Sequence, residues 1–569
     1  MRRAPSLLVL GLLCLSACDR AAPPPAAADK VPAKAAAPAP WANDPSALRI
    51  EADVRKLSDD VMEGRETGTR GYTMASEYVG KRFASIGLQP AGDDGTFFQR
   101  VPLLKATRVR EGAAFTVNRG GRSIALRFQD QFLPSQNFNA PQAAVEAPAV
   151  FVGQAVEAPA LGVDDFKGLA LEGKIAVLFG GAPARFDDDR RAFHSSYREK
   201  LRAVTSHGAI GAIFVNTAED EAGSPWTRNA ANWNRPAMRL RDADGRGIDS
   251  FPQLRVVASV SAAAADLVFA DGPQTAAQLF DAARDGTLKG FGLPGTIALA
   301  SRTTVEPIES RNVVAKLPGS DSALGAEHMV YTAHLDHVGI GAPVKGDTIY
   351  NGALDNALGV AILLEAAQQL QATKQPPKRS ALFVAVTAEE KGLLGAEWFA
   401  THPTVPAGSM VANINMDMPV LMAPTTDVVP IGVEHSTLQA TLDAAAKDVG
   451  VALSPDPFPE ESVFVRSDQY AFIRAGVPAV YLTGGVVAAD KADGRDPKVA
   501  LRYFLRNCYH QPCDDADTQP IQYGDAARMA RLNARIGQLV GDAPERPRWN
   551  DGDFFGGMFA RDAAGGAGK

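Results

Sequence analysis

Histidine and acidic residues stand at the ends of three apolar runs of strand length. Met329 to Ala333 leads into His334-Leu335-Asp336, Ala381 to Thr387 into Ala388-Glu389-Glu390, and Met410 to Met416 into Asp417. Imidazole nitrogens and carboxylate oxygens are donors that zinc accepts, and two zinc ions held together need a carboxylate between them to offset the repulsion of two dications. Asp355 is the natural bridge. It lies in Asn351-Gly352-Ala353-Leu354-Asp355-Asn356-Ala357-Leu358-Gly359, a glycine-flanked turn before an apolar helix, where small residues let the backbone approach metal. Adjacent Glu389 and Glu390 point different ways at a strand end, so one binds metal and the other handles protons. Asp336, two residues after His334, is placed to accept the second ring proton of that imidazole and fix its tautomer. His510, in Asn507-Cys508-Tyr509-His510-Gln511-Pro512, completes the set.

These residues are far apart in the chain and meet only if a sheet brings its strand ends together. After Glu306 the rhythm is strand, loop, helix, repeated, with Pro478 to Leu482 as a further strand and Val360 to Leu370 and Gly392 to Phe399 as helices. That is the sequence form of an α/β fold with a mostly parallel mixed sheet flanked by helices, and such sheets bind ligands beyond the carboxyl ends of their strands. Upstream, Tyr72, Ala75, Val79, Phe83 and Ile86 recur at helical spacing, with Thr69 as N-cap and Gly87 as stop. Between 142 and 300 the texture changes. Ala149 to Gly153, Lys174 to Phe179, Ala209 to Val215 and Leu254 to Val260 read as buried strands of a smaller, β-rich inserted domain with one or two helices. Its loop from Glu219 to Asp249, rich in Arg and Trp, reads as exposed.

The motifs, taken in order, resemble the M28 family of zinc peptidases, which includes bacterial aminopeptidases and glutamate carboxypeptidase-type enzymes. The resemblance runs from about Leu57 to Leu539 and includes Glu63-Gly64-Arg65-Glu66-Thr67-Gly68-Thr69. It implies a zinc-peptidase/phosphorylase-like fold and two zinc ions per subunit. His334 and Asp417 would hold one zinc, Glu390 and His510 the other, and Asp355 both. It further implies Glu389 as general base, Asp336 as the residue orienting His334, and Tyr509 as a stabiliser of the oxyanion. The insertion resembles a protease-associated (PA) domain around Leu171 to Phe179 and Gly208 to Asn216. Two departures stand out: Leu354 and Leu358 flank the bridge where relatives carry other residues, and Gln469 stands where many carry histidine. The implied reaction is metal-assisted hydrolysis of peptide bonds, as an aminopeptidase. A carboxypeptidase or a glutaminyl-cyclase-like enzyme is the alternative, since Arg466 and Arg474 lie near the site in motif order; Arg466 is the candidate substrate-binding residue. A non-catalytic binding protein of this fold would have lost ligands or base, and all are present. The chain has no Gly-x-Ser-x-Gly elbow and no His-Glu-x-x-His motif. His194, His207, His328, His337, His402 and His435 read as surface or core residues, with His337 the nearest to the pocket.

At 569 residues, 46% hydrophobic and 22% charged, the chain is long enough for two or more compact units. A net charge of -7 disfavours nucleic acid as a partner. The expected division is 1–18 signal, 19–45 Ala/Pro-rich tether, 46–141 first part of the peptidase domain, 142–300 PA-like insertion, 301–541 catalytic domain, and 542–569 disordered tail. Arg2 and Arg3 followed by the apolar Leu7 to Leu15 form an export signal. Leu15-Ser16-Ala17-Cys18 resembles a bacterial lipobox, which makes Cys18 a lipidated anchor and the protein a membrane-tethered lipoprotein of the periplasm or cell envelope. Of four cysteines, Cys508 and Cys513 remain as a candidate disulfide in that oxidising compartment; the rival is a metal-binding pair, for which no second Cys pair exists.

Overall fold

The computed structural model describes residues 42–560 apart from 407, 491 and 493. Cys18 and the tract to residue 41 lie outside the described residues. Among the described residues, no helix is long and apolar enough to cross a membrane.

The larger sheet runs in the order Ala237–Leu240, Phe98–Arg119, Thr296–Leu317, Ser380–Val386, His328–His334, Met410–Asn415, Ala479–Gly484, Asp427–Ile431, Ala452–Leu453. Its four central strands, Ser380–Val386 to Ala479–Gly484, are parallel, and antiparallel strands flank them. Alternation divides each central strand between two helical layers. Ala381, Phe383 and Ala385 join the core under Pro45–Leu57, Arg70–Ile86, Leu358–Gln371 and Tyr523–Asp542, while Leu382, Val384 and Val386 face Leu394–Thr401 and Gln469–Arg474. Phe383 stacks on Tyr331 with ring centroids 5.1 Å apart, and its truncation to alanine would cost about 3–5 kcal/mol. The helix Arg70–Ile86 starts at Thr69, whose hydroxyl accepts from the Tyr72 amide, and stops at left-handed Gly87 (φ 88°).

A second sheet has the order Phe291–Gly292, Ala149–Phe151, Ile175–Leu178, Gly211–Val215, Val256–Val260, Phe132–Pro134. Its four inner strands are parallel and its two edges antiparallel. Phe98–Arg119 and Thr296–Leu317, 22 residues each, pair along nearly their whole length and carry the chain between the two sheets.

Several expectations need correction. The second unit begins before residue 142, because Phe115, Val117, Leu126 and Phe132 already belong to its core. It is layered α/β rather than β-rich: Tyr197–Ser206 and Ala276–Arg284 are only two of its helices. The stretch Glu219 to Asp249 is not an exposed loop. Trp226, Met238 and Leu240 are buried, and Ala237–Leu240 adds an edge strand to the larger sheet. The tail is ordered as far as residue 560, with helix Phe554–Phe559 and a fully buried Phe555; residues 561–569 lie outside the described residues.

Candidate metal centre

Three parallel strands end on one rim, and their last residues converge there as the strand-end rule requires. His334 closes its own strand. Its Nε2 lies 2.9 Å from Asp417 Oδ1 and 3.2 Å from Asp355 Oδ1. His510 Nε2 lies 3.2 Å from Asp355 Oδ2 and 3.0 Å from Glu390 Oε2. Asp355 thus stands between two donor groups, His334 with Asp417 on one side and Glu390 with His510 on the other.

Local backbone explains each placement. Gly352 is left-handed (φ +63°), and a Cβ there would meet the Asp355 carbonyl at 2.3 Å and the His337 ring at 2.6 Å, so only glycine fits. A Cβ at Gly359 would meet Asn356 Oδ1 at 2.0 Å. The peptide between Asp355 and Asn356 is cis. Ala388 turns into the left-handed region (φ 55°) just after its strand, which separates the directions of Glu389 and Glu390. Cys508 and Cys513 are bonded, Cα atoms 5.2 Å apart, and clasp the segment that carries Tyr509 and His510. Tyr509 stacks on His510 with centroids 3.8 Å apart.

The support of the centre differs from the sequence expectation at Asp336. The backbone carbonyl of Asp336, not its carboxylate, accepts from His334 Nδ1, at 3.0 Å. The carboxylate instead accepts from the amides of Glu389 (3.1 Å) and Glu390 (3.3 Å) and from the Thr67 hydroxyl (3.2 Å). Asp336 therefore shapes the Glu389-Glu390 turn, and its backbone fixes the His334 tautomer.

His337 is the main residue that sequence reasoning set aside. It is fully buried, with Nδ1 2.9 Å from Glu390 Oε1 and 3.7 Å from Asp355 Oδ2, and it groups with Asp355, Glu390 and His510. The His334-Leu335-Asp336-His337 spacing was its only signal. Other contributors carry no local motif. Arg65 is fully buried and donates to the carbonyls of Leu57, Leu335, Asn351 and Gly352, tying together the two loops that carry candidate ligands His334 and Asp355. The Asp514 carboxylate accepts from the amides of Leu354 (2.8 Å) and Asp355 (3.0 Å). Ser467 donates to Asp417 Oδ2 at 2.6 Å. Gln469, at the position of the expected histidine, accepts from Asn415 and donates to the carbonyls of Val463 and Phe464, a packing role away from the donor clusters. Arg466 lines the adjacent cavity but donates to Glu461.

The electrostatics follow from crowding acids and imidazoles out of water. Burial opposes the ionised form of Asp355, yet the rings of His334, His337 and His510 outweigh it and hold that carboxyl well below its usual range. Glu390 is lowered against burial by His510 and His337. Burial also disfavours a charged His510, but Glu390 and Asp355 raise it to about 10. Glu389 moves the other way: burial, reinforced by the charges of Asp417, Glu390 and Asp468, raises it well above an ordinary carboxyl. Two adjacent carboxyls with opposed shifts suit opposed tasks, ligand and proton carrier.

Metal fits the donor set. Although His337 Nδ1 approaches Glu390 Oε1 to 2.9 Å and His510 Nε2 approaches Asp355 Oδ2 to 3.2 Å, His337 Nδ1 and Nε2, Asp355 Oδ2 and Glu390 Oε1 are buried without a well-aligned hydrogen bond among the described residues, a costly arrangement unless a cation satisfies them. Residues 312–536 match the model of Peptidase family M28. A vacuolar membrane protease of Candida tropicalis is 36% identical over 104 residues, covering 18% of this chain and 10% of that protein. A probable zinc metalloprotease of Pyrenophora teres f. teres is 34% identical over 112 residues, covering 20% and 23%. The chain thus spans only a small part of the curated relatives it matches. The solved aminopeptidase from Aneurinibacillus sp. strain AM-1 shares the fold, with TM-score 0.51 and 19% identity over 88% of this chain and 97% of that one. Both donor clusters lie inside the matched segment, so it is residues 312–536, with their zinc-type ligands, that are similar to a peptidase family M28 domain.

Proposed function

We propose that this chain is a two-zinc aminopeptidase that removes N-terminal residues from peptides. The observation that carries the reading is the pair of donor clusters sharing Asp355, with Glu389 beside them on the wall of an open cavity. His334, Asp355 and Asp417 would hold one zinc, and Asp355, Glu390, His510 and His337 the other. Zinc bound there supplies a Lewis acid for the scissile carbonyl and lowers the pKa of a water. Glu389 takes a proton from the attacking water and returns it to the leaving amine. In this reading Tyr509, which lines the same cavity, donates to the developing oxyanion. Asp336 holds the amides of both glutamates and so keeps Glu389 in place. The solved aminopeptidase of this fold supports the exopeptidase direction. A carboxypeptidase or glutaminyl-cyclase-like reaction is the second reading, favoured by the arginines that line the cavity.

Metal analysis of the purified protein, with free and N-blocked peptides as substrates, tests both readings. Hydrolysis of blocked peptides alone would sink the aminopeptidase assignment. Glu389→Gln is expected to cut kcat by about 10²–10⁴-fold with zinc content unchanged; near-normal turnover contradicts its role as base. We infer further, from the sequence, that the protein is exported and lipid-anchored at Cys18, and that the PA-like insertion walls the substrate cavity. Fatty-acid labelling that persists in Cys18→Ser contradicts the anchor.

A further inference from the structure

A cavity of about 470 Å³ separates the metal-bearing rim from the inserted unit. One end is acidic, formed by Glu389 and Glu390. Its lining also includes an arginine-bearing wall with Arg198, Arg239, Arg474 and Tyr470. Two of these arginines are compensated. Glu397 accepts from both terminal nitrogens of Arg198 at 3.2 Å and lies 3.4 Å from Arg474, and Asp249 pairs with Arg198 as well.

Arg239 is not compensated. Its guanidinium donates to the carbonyl of Met238 at 2.9 Å and lies over the Phe138 ring at 5.2 Å, and among the described residues no carboxylate is within 4.0 Å of it. Three arginines thus face two carboxylates, leaving one positive charge in excess. Burial lowers the Arg239 pKa, outweighing the opposing pull of Tyr197 and the more distant Glu397. Two further donors on this wall, the Tyr470 hydroxyl and Arg198 Nε, are buried with no hydrogen-bond partner among the described residues. Tyr470 is 7% exposed. Unpaired buried donors beside an excess cation are costly, and an anionic acceptor in this part of the cavity would offset that cost.

We propose that this wall is a carboxylate-binding subsite, so that the preferred substrate presents an acidic group within the cavity that adjoins the metal centre. The proposal rests on the peptidase reading and deepens it by naming a substrate class. The carboxylate has two possible sources, an Asp or Glu side chain or the free C-terminus of a short peptide. Zinc-loaded enzyme is assayed in two arms, N-terminal Glu against Gln anilides, and short peptides with free against amidated C-termini. In one arm the acid is expected to exceed its amide by at least about tenfold in kcat/KM. Arg239→Met brings that ratio to about one, Arg239→Lys keeps part of it, and Tyr470→Phe, which removes only a hydroxyl, lowers it severalfold. A ratio near one in both wild-type arms, or a preference unchanged in a folded Arg239→Met protein, overturns the subsite. If no peptide is hydrolysed, the peptidase reading fails, and calorimetry with free glutamate and glutamine then decides the subsite alone. Glutamate binding tighter by about tenfold and dependent on Arg239 supports it; equal affinities overturn it.

Discussion

The imidazole of His337 makes the two donor clusters unequal, four groups against three around the shared Asp355. A zinc with four protein donors has no open position, whereas one with three keeps a place for water or substrate. On the two-zinc reading, His337→Ala is expected to weaken one zinc by at least about tenfold and spare the other. Chelator competition followed by metal analysis reads this, and equal loss of both ions contradicts it. Because His510 is held protonated up to about 10 in the metal-free protein, zinc must displace that proton. Its affinity should climb as pH rises toward 10; a flat profile argues against His510 as a ligand.

The elements that matter most are two short turns rather than the long helices. Gly352 brings Asp355 under the rim at a φ of +63° that other residues rarely adopt. Gly352→Ala meets the Asp355 carbonyl at 2.3 Å as well as paying backbone strain, so a loss of about 1–3 kcal/mol in stability is expected together with weaker binding at both zinc positions. Thermal melts with and without zinc separate the two effects, since a variant whose melting point rises on zinc addition as much as wild type has kept its bridge. The 508–513 clasp plays the corresponding part for His510.

Across the whole molecule, His435 joins three parts of the chain. Its Nδ1 lies 2.6 Å from Asp553 in the C-terminal segment, its Nε2 3.4 Å from Asp189 in the inserted unit, and its ring stacks on Phe464 at 4.5 Å. Burial disfavours its charge, but Asp189 and Asp553 outweigh burial and raise it to about 9 from 6.5. A raised pKa stabilises fully below the unfolded value and is lost as pH climbs through the folded one. This contribution, about 3 kcal/mol at most, should be present at pH 6 and gone above pH 9. The Tm gap between wild type and His435→Gln is expected to shrink over that window; a constant gap contradicts the ion-pair role.

How far the sequence reaches depends on the range of the force involved. Strand alternation and helix caps are local, so the apolar runs ending in His334, Glu389-Glu390 and Asp417, and the helix between Thr69 and Gly87, were legible one segment at a time. Family motifs extended this to Asp355 and His510. Arg65, Asp514 and Ser467 act through contacts between distant segments and have no periodicity to betray them. The same holds for His337, whose ring lies beside Glu390 in space that the missing Cβ of distant Gly352 leaves open. It holds again for the ordered C-terminal segment, whose Gly- and Asp-rich composition hides a Phe555 buried against His435 and Phe464. The sequence by itself determined the α/β class and the donor chemistry, because residue type and local spacing suffice for both. Only the tertiary structure decided which histidines share a metal, what Asp336 holds, and which arginine faces the cavity unpaired, because each is a balance of charge and burial among residues that meet only after folding.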